Sequence, residues 1–81
     1  MMWVYMIRSE MSPERTYVGS TSNLERRLAE HNTGKSSATY KFRPWVCEVK
    51  LWFADQGRAE GFEKYLKSGS GRAFSRRHFW G

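Results

Sequence analysis

The first twenty residues predict a β-hairpin, and this hairpin constrains the rest of the fold. Residues 2–8 and 15–20 are short runs rich in aromatic and branched side chains, and the polar segment 10–14 between them is typical of a turn. The two strands contain the tripeptides Trp3-Val4-Tyr5 and Tyr17-Val18-Gly19. We therefore expect two tyrosines side by side on neighbouring strands.

The remaining chain predicts helices packed on this sheet. A capping box at Ser22-Asn23-Leu24-Glu25 predicts a helix from there to about His31, with Gly34 as its left-handed stop. The further predictions are a strand over 45–54, a helix over 56–67 capped by Asp55, a break at Gly69-Ser70-Gly71 and a short helix over 72–78. The order ββαβαα favours an α/β fold of the α+β type, a small three-stranded antiparallel sheet flanked by helices.

Alternation in the third strand predicts that its side chains point to two opposite faces of the sheet. Cys47, Val49, Leu51 and Phe53 are expected on the first, and Val46, Glu48, Lys50 and Trp52 on the second. Cys47 is thus assigned to the core, without chemistry. The spacing of this single cysteine and the two histidines is unlike that of a zinc site.

Length and cysteine content suggest one small domain in a reducing compartment. With 81 residues and one cysteine, we expect a single domain over 1–81, no internal disulfide and a cytoplasmic location. No apolar run is long enough for a signal peptide or a membrane span. The 13 aromatic side chains (four Trp, four Tyr and five Phe) must supply much of the core. Phe79 and Trp80 either close that core or lie exposed.

Positive charge is concentrated in two segments that contain no acidic residue. The net charge is +6, and the segments 33–47 and 64–81 are only basic. Their candidate nucleic-acid-binding residues are Lys35, Lys41, Arg43, Lys67, Arg72, Arg76 and Arg77. This pattern indicates a polyanionic partner. Many small soluble domains are equally basic, so charge alone does not decide the function.

Charged side chains on two apolar helix stripes indicate a functional site. On the first helix Arg27 and His31 share a sector with Leu24 and Leu28, while Arg26 and Glu30 point elsewhere. Arg27 either extends over the core edge or lies in a cleft where it could bind phosphate. Beside it, His31 is a candidate proton carrier.

The second helix places one carboxylate, Glu63, on the stripe formed by Ala59, Phe62 and Leu66. A buried charge needs a partner, so Glu63 forms either a structural ion pair with Arg27 or part of a shared site with it. Gly19, on the same strand face as Tyr17, indicates close approach by a ligand or another backbone.

The ordered set of motifs resembles the GIY-YIG nuclease family. It comprises Val4-Tyr5, Tyr17-Val18-Gly19-Ser20-Thr21, Leu24-Glu25-Arg26-Arg27-Leu28 and Ala59-x-x-x-Glu63-x-x-Leu66-Lys67. Trp3 stands where the family usually has glycine. The chain looks like small stand-alone bacterial members and is similar to the nuclease domain of the UvrC repair endonuclease. The asparagine that many members carry late in the domain has no placeable counterpart, since the tail is Arg76-Arg77-His78.

The resemblance implies roles for five residues. Tyr5 and Tyr17 would be the motif tyrosines, Arg27 the phosphate-binding arginine, His31 the helix histidine, and Glu63 the single metal-binding carboxylate. The implied function is a divalent-metal-dependent endonuclease of the repair or recombination type, acting on DNA with one Mg²⁺ or Mn²⁺. Two alternatives are a non-catalytic nucleic-acid-binding domain on the same fold and a protein-interaction module with outward aromatics.

Overall fold

The structure, a computed structural model, describes residues 1–80 and has the predicted α+β architecture. Over these residues the elements are β1 (Met2–Ser9), β2 (Thr16–Thr21), α1 (Leu24–Thr33), a 3₁₀ turn (Tyr40–Phe42), β3 (Trp45–Phe53), α2 (Gln56–Lys67) and α3 (Gly69–His78). The sheet is antiparallel with the order β2-β1-β3. The expected order ββαβαα and the three-stranded antiparallel sheet are confirmed. None of the helices within 1–80 is long and apolar enough to cross a membrane.

The central strand β1 is buried on both faces, and each face supports a different cluster. Val4 and Met6 pack with residues of α2 and α3. Tyr5 and Ile7, on the opposite face, pack with Trp45 and with residues of α1. Successive strand residues point to opposite faces, so α1 lies on one side of the sheet and α2 with α3 on the other.

A register shift in β3 corrects the predicted alternation of that strand. Met6 pairs with Val49, but the next residue, Ile7, pairs with Cys47. This irregularity between Met6 and Ile7 moves Cys47 to the cluster on the α1 side, whereas Val49 and Phe53 join the cluster on the α2 side. The prediction of one common inward face was therefore wrong. The four residues of the other predicted set are exposed: Val46, Glu48, Lys50 and Trp52.

The caps of α1 differ from the prediction at its beginning and agree at its end. Asn23, not Ser22, is the N-cap, and its Oδ1 accepts a hydrogen bond from the Arg26 amide at 3.1 Å. Asparagine caps helices as well as serine does, so neighbouring candidates compete and the predicted capping box was wrong by one residue. Gly34 ends the helix with φ 87°, as expected of a left-handed stop.

The third helix begins earlier than predicted. Ser68 is its N-cap, accepting a hydrogen bond from the Gly71 amide at 3.2 Å, so Gly69-Ser70-Gly71 forms the first turn of α3 rather than a break. Glycine is needed at 71 because a Cβ there would collide with the backbone of Tyr65 and Leu66. At the other end, Phe79 and Trp80 pack against the cluster of α2 and α3, so they close the core.

Candidate active site

A buried chain of hydroxyl and imidazole groups links β1 to the loop after α1. The Tyr5 hydroxyl lies 2.8 Å from His31 Nε2, and His31 Nδ1 lies 2.7 Å from Thr39 Oγ1. All three residues are almost fully buried, with 1%, 0% and 1% of their surface exposed. Trp45 holds the loop in place by donating from its indole Nε1 to the Thr39 carbonyl at 2.8 Å. His31 therefore holds the Tyr5 side chain in place through the hydrogen bond between them.

The Tyr5 ring explains why residue 19 is a glycine. The two residues pair across β1 and β2, and a Cβ on Gly19 would lie 2.5 Å from the Tyr5 hydroxyl oxygen. The sequence predicted close approach at this glycine by a ligand or another backbone, but the approaching group is the tyrosine ring of the neighbouring strand.

Burial fixes the protonation of Tyr5 and His31. Burial raises the pKa of Tyr5 to about 12, although Arg27 nearby lowers it. Burial and the positive charge of Arg27 lower the pKa of His31 to about 4. At neutral pH Tyr5 keeps its proton and His31 is uncharged. A neutral imidazole has one donor and one acceptor nitrogen, so His31 donates one of its two hydrogen bonds and accepts the other.

Tyr17 and Arg27 form the outer part of the same side. Tyr17 is half-buried, its ring centroid 5.1 Å from that of His31 and 6.5 Å from that of Tyr5. Arg27 is half-buried, and its Nη1 donates to Glu30 Oε1 at 2.9 Å. This bond raises the pKa of Arg27, burial lowers it, and the tyrosine hydroxyls of Tyr5 and Tyr17 raise it further.

Glu63 approaches the same edge strand from the other side of the sheet. Its Oε1 accepts a hydrogen bond from Ser20 Oγ at 2.5 Å, and its Oε2 accepts one from Lys67 Nζ at 2.8 Å. Burial raises the pKa of Glu63, but the bonds from Lys67 and Ser20 outweigh burial and lower it overall. Glu63 is therefore a charged carboxylate at neutral pH.

One of the two alternatives for Glu63, a structural ion pair with Arg27, is absent from the described residues. Arg27 pairs with Glu30 and Glu63 pairs with Lys67, each on its own helix. The physical reason is the placement of α1 and α2 on opposite faces of the sheet, while a partner three or four residues away is always within reach. Arg27 and Glu63 instead flank β2 from its two sides.

A single carboxylate without other ligand side chains nearby can bind some metal ions but not others. No group of three or more His, Cys, Asp or Glu side chains that could hold a metal ion occurs within residues 1–80. Zinc sites are built from such groups. Mg²⁺ retains several waters and is commonly bound by one or two carboxylates together with a substrate phosphate. Glu63, charged and 21% exposed, fits this second kind of site.

The seven predicted nucleic-acid-binding cations lie in three different parts of the surface. Three of them, Lys35, Lys41 and Arg43, are exposed on the loop between α1 and β3. Another three, Lys67, Arg72 and Arg76, line a cleft together with Tyr17. Arg77 is exposed on α3 outside that cleft. Lys67 also lies 6.0 Å from the Tyr17 ring centroid, so it belongs to the candidate active site itself.

Three residues of the site were missed by the sequence analysis. Ser20 holds Glu63, Glu30 holds Arg27, and Thr39 holds His31. Glu30 had a signal, because it stands three residues after Arg27 on a predicted helix. Ser20 and Thr39 depend on contacts between distant segments, which their local sequence does not indicate.

Fold and site together define a compact hairpin-and-helix domain that gathers tyrosine, arginine, histidine and glutamate around one edge strand. The family model for the GIY-YIG catalytic domain matches residues 1–77. The chain therefore belongs to the GIY-YIG nuclease family.

Three of the curated relatives that the chain resembles are yeast proteins. A protein of Candida dubliniensis named "Structure-specific endonuclease subunit SLX1" is 37% identical over 82 residues, covering 93% of this chain and 27% of the relative. Proteins of the same name from Debaryomyces hansenii and Scheffersomyces stipitis are 44% and 42% identical, covering 57% and 52% of this chain. The chain spans little more than a quarter of the length of the Candida relative, and only 16% and 14% of the other two.

Proposed function

We propose that this chain is a divalent-metal-dependent endonuclease domain that hydrolyses phosphodiester bonds in DNA. One observation carries the proposal. Two tyrosines and an arginine lie on one side of the edge strand β2, and a charged carboxylate lies on its other side. Hydrolysis of a phosphodiester needs a cation that stabilises the charge developing on the phosphate and a polar group that orients water, and Arg27 and Tyr17 are the candidates for these two roles.

Arg27 is the residue proposed to bind the scissile phosphate. Its guanidinium is half-buried and held by Glu30, which orients the fork without covering all of its donors. A guanidinium held in this way can donate two parallel hydrogen bonds to phosphate oxygens. Charge that builds up on the phosphate during attack is then stabilised where it forms.

The two tyrosines have different proposed roles. Tyr5 is buried and its pKa of about 12 keeps it protonated, so it acts as a hydrogen-bond donor. Tyr17 is half-buried and stands closer to solvent, so it is the better placed to orient the attacking water. His31 is fully buried, so its proposed role changes from proton carrier to positioning of the Tyr5 hydroxyl.

Glu63 is the proposed ligand of one Mg²⁺ or Mn²⁺, with Ser20 holding the carboxylate in place. A divalent ion bound there would supply Lewis-acid stabilisation of the leaving oxygen. Lys67, paired with Glu63 in this structure, would be released to interact with phosphate. The relatives' printed name, a structure-specific endonuclease subunit, supports an endonuclease with a preference for DNA shape and a protein partner.

The alternative function is binding of nucleic acid without cleavage. It is favoured by one observation, namely that Arg27 and Glu63 each already have a partner of opposite charge on their own helix. Nicking of supercoiled plasmid and of flapped duplexes, with Mg²⁺ and with EDTA, separates the two functions.

The matched variants for this experiment are Arg27→Ala and Arg26→Ala. Arg26 is the exposed neighbour on α1, with 75% of its side chain accessible. We expect Arg27→Ala to abolish cleavage while binding falls only modestly, because binding is spread over several other cations. Equal loss of cleavage in both variants would contradict the proposed role of Arg27, and binding without any cleavage by the unmodified protein would favour the alternative.

A further inference from the structure

A cleft of about 540 Å³ opens beside the candidate active site, between the β1–β2 hairpin and α3. We name it the α3 cleft. The residues used here from its lining are Tyr17, Lys67, Arg72, Ser75, Arg76 and Trp80. Tyr17 and Lys67 belong also to the candidate active site, so a ligand in the cleft lies next to the phosphate that would be cut.

The free positive charge of the cleft lies on α3. Two of its four cations already have partners, since Arg8 pairs with Glu48 at 3.1 Å and Lys67 pairs with Glu63 at 2.8 Å. Arg72 and Arg76 make no ion pair or side-chain hydrogen bond with any residue from 1 to 80. They stand four residues apart on one helix, where like charges repel and destabilise it.

An anion between these two arginines would remove their repulsion. The one carboxylate on the lining is Glu14, which is exposed in the β1–β2 turn. Arg72 and Arg76 therefore give the cleft a cationic side on α3, and this side attracts phosphate.

A buried hydroxyl in the cleft lining lacks a partner. Ser75 is only 2% exposed, and its Oγ has no hydrogen-bond partner in the part of the chain that the structure describes. Leaving a buried hydroxyl unbonded is unfavourable, so such a group is a natural contact for a ligand oxygen. Ser75 lies one residue before Arg76 and three after Arg72 on α3, so this unpartnered hydroxyl is close to both free arginines.

Part of the cleft wall is apolar and aromatic. Trp80 is half-buried there, with the guanidinium of Arg8 at 4.5 Å from its ring centroid. Met6, Val18 and Leu66 complete this wall. A ligand that joins an aromatic ring to a phosphate matches a site with one apolar and one cationic side, and a nucleotide is such a ligand.

We propose that the α3 cleft receives one unpaired nucleotide of the bound DNA strand, adjacent to the scissile phosphate. This inference rests on the proposed function and adds a substrate class to it. A base inside a duplex is stacked and paired, so it enters a concave pocket only after extrusion, at a cost in unstacking energy. An unpaired nucleotide enters without that cost. The domain would accordingly prefer DNA with a flap, gap or loop next to the cut.

The test compares two neighbouring arginines on two DNAs. Binding is measured by fluorescence anisotropy in EDTA at fixed salt, with a fully paired duplex and with a duplex of equal length that carries a short single-stranded flap. The variants are Arg76→Gln, which changes the cleft, and Arg77→Gln, which removes the same charge from an exposed position outside it. Both positions are exposed, so neither change should affect folding.

We expect Arg76→Gln to weaken binding of the flapped DNA by about tenfold, the effect of one charge-assisted hydrogen bond, and that of the paired duplex much less. Arg77→Gln should weaken both DNAs by one common, smaller factor. If the two variants give the same loss on both DNAs, the α3 cleft does not distinguish unpaired nucleotides and the inference is wrong.

A free mononucleotide is the other source of the same chemistry. Millimolar deoxyadenosine monophosphate should not raise the melting temperature of the protein, because a single nucleotide lacks the contacts of the strand on either side. Stabilisation of the unmodified protein and not of Arg76→Gln would instead identify a site for free nucleotides. Failure of the proposed function gives a different result, namely no Mg²⁺-dependent cleavage of any DNA. If the unmodified protein cuts DNA but Arg76→Gln and Arg77→Gln lose the same DNA affinity, only the proposal for the α3 cleft is wrong.

Discussion

The buried histidine makes the stability of this domain depend on pH in a range where most groups do not titrate. His31 is fully buried between Tyr5 and Thr39, and its pKa in the folded protein is about 4. In an unfolded chain a histidine has a pKa of about 6.5. The unfolded state therefore binds the proton more readily, and the free energy of unfolding decreases as the pH falls from about 6.5 towards 4.

The size of this effect follows from the difference between the two pKa values. One pKa unit corresponds to about 1.36 kcal/mol, so stability should fall by about 2 kcal/mol between pH 7 and pH 5 and by about 3 kcal/mol at pH 4. For a domain of this size, 2 kcal/mol is a large share of the total stability. Carboxylates with lowered pKa values, such as Glu63, add their losses mainly below this range.

Urea unfolding followed by tryptophan fluorescence at pH 7, 6 and 5, at constant ionic strength, measures this slope. His78 is exposed, so His78→Gln is the matched control and should behave as the unmodified protein does. His31→Gln should be less stable at pH 7, because its contacts with Tyr5 and Thr39 change, yet nearly independent of pH down to 5. An unmodified protein whose stability is flat between pH 7 and 5 would refute the assignment of a buried neutral His31.

Three further predictions concern the site and its surroundings. Gly19→Ala should destabilise the domain by roughly 1–3 kcal/mol in urea unfolding, because its Cβ would lie 2.5 Å from the Tyr5 hydroxyl and the ring must shift; Gly61→Ala, where a Cβ meets nothing within 4 Å, is the control. Glu63→Gln should eliminate Mg²⁺-dependent cleavage while DNA binding in EDTA stays equal or strengthens, since a negative charge near the phosphate has gone; full cleavage would exclude the metal-ligand role. The logarithm of the DNA association constant should fall with the logarithm of salt concentration with a slope of roughly −4 to −7, and a slope near zero would remove the nucleic-acid function.

Local patterns were sufficient to predict the fold, because each element is consistent with its own sequence. The hairpin, the left-handed stop at Gly34 and the cap at Asp55 all follow from residues next to one another. Errors arose where two local solutions are nearly equal in energy, as for Ser22 and Asn23 at the start of α1. The irregularity in β3 left no trace in the alternation of exposed side chains, so it could not be predicted.

The candidate site was predictable in its members more than in their contacts. Arg27, His31 and Glu63 were chosen as candidates because titratable groups on apolar stripes are exceptional, and the structure places all three at least half-buried. A helical stripe shows which side of a helix faces the sheet, but not which face of the sheet it covers. This missing information is why an ion pair between Arg27 and Glu63 stayed open as an alternative in the sequence analysis, although each residue pairs on its own helix.

Two separate cores support the two halves of this site, and that division has a genetic consequence. Tyr5, Tyr17 and Arg27 depend on the packing of α1, whereas Glu63 depends on the packing of α2 and α3. A core substitution on one face of the sheet would displace only the site residues that this core supports, and the site residues on the other face would keep their positions. Second-site mutations that restore function should accordingly lie on the same face of the sheet as the original mutation. A mutation that compensates for damage on the opposite face should occur only in β1, the strand that both cores share.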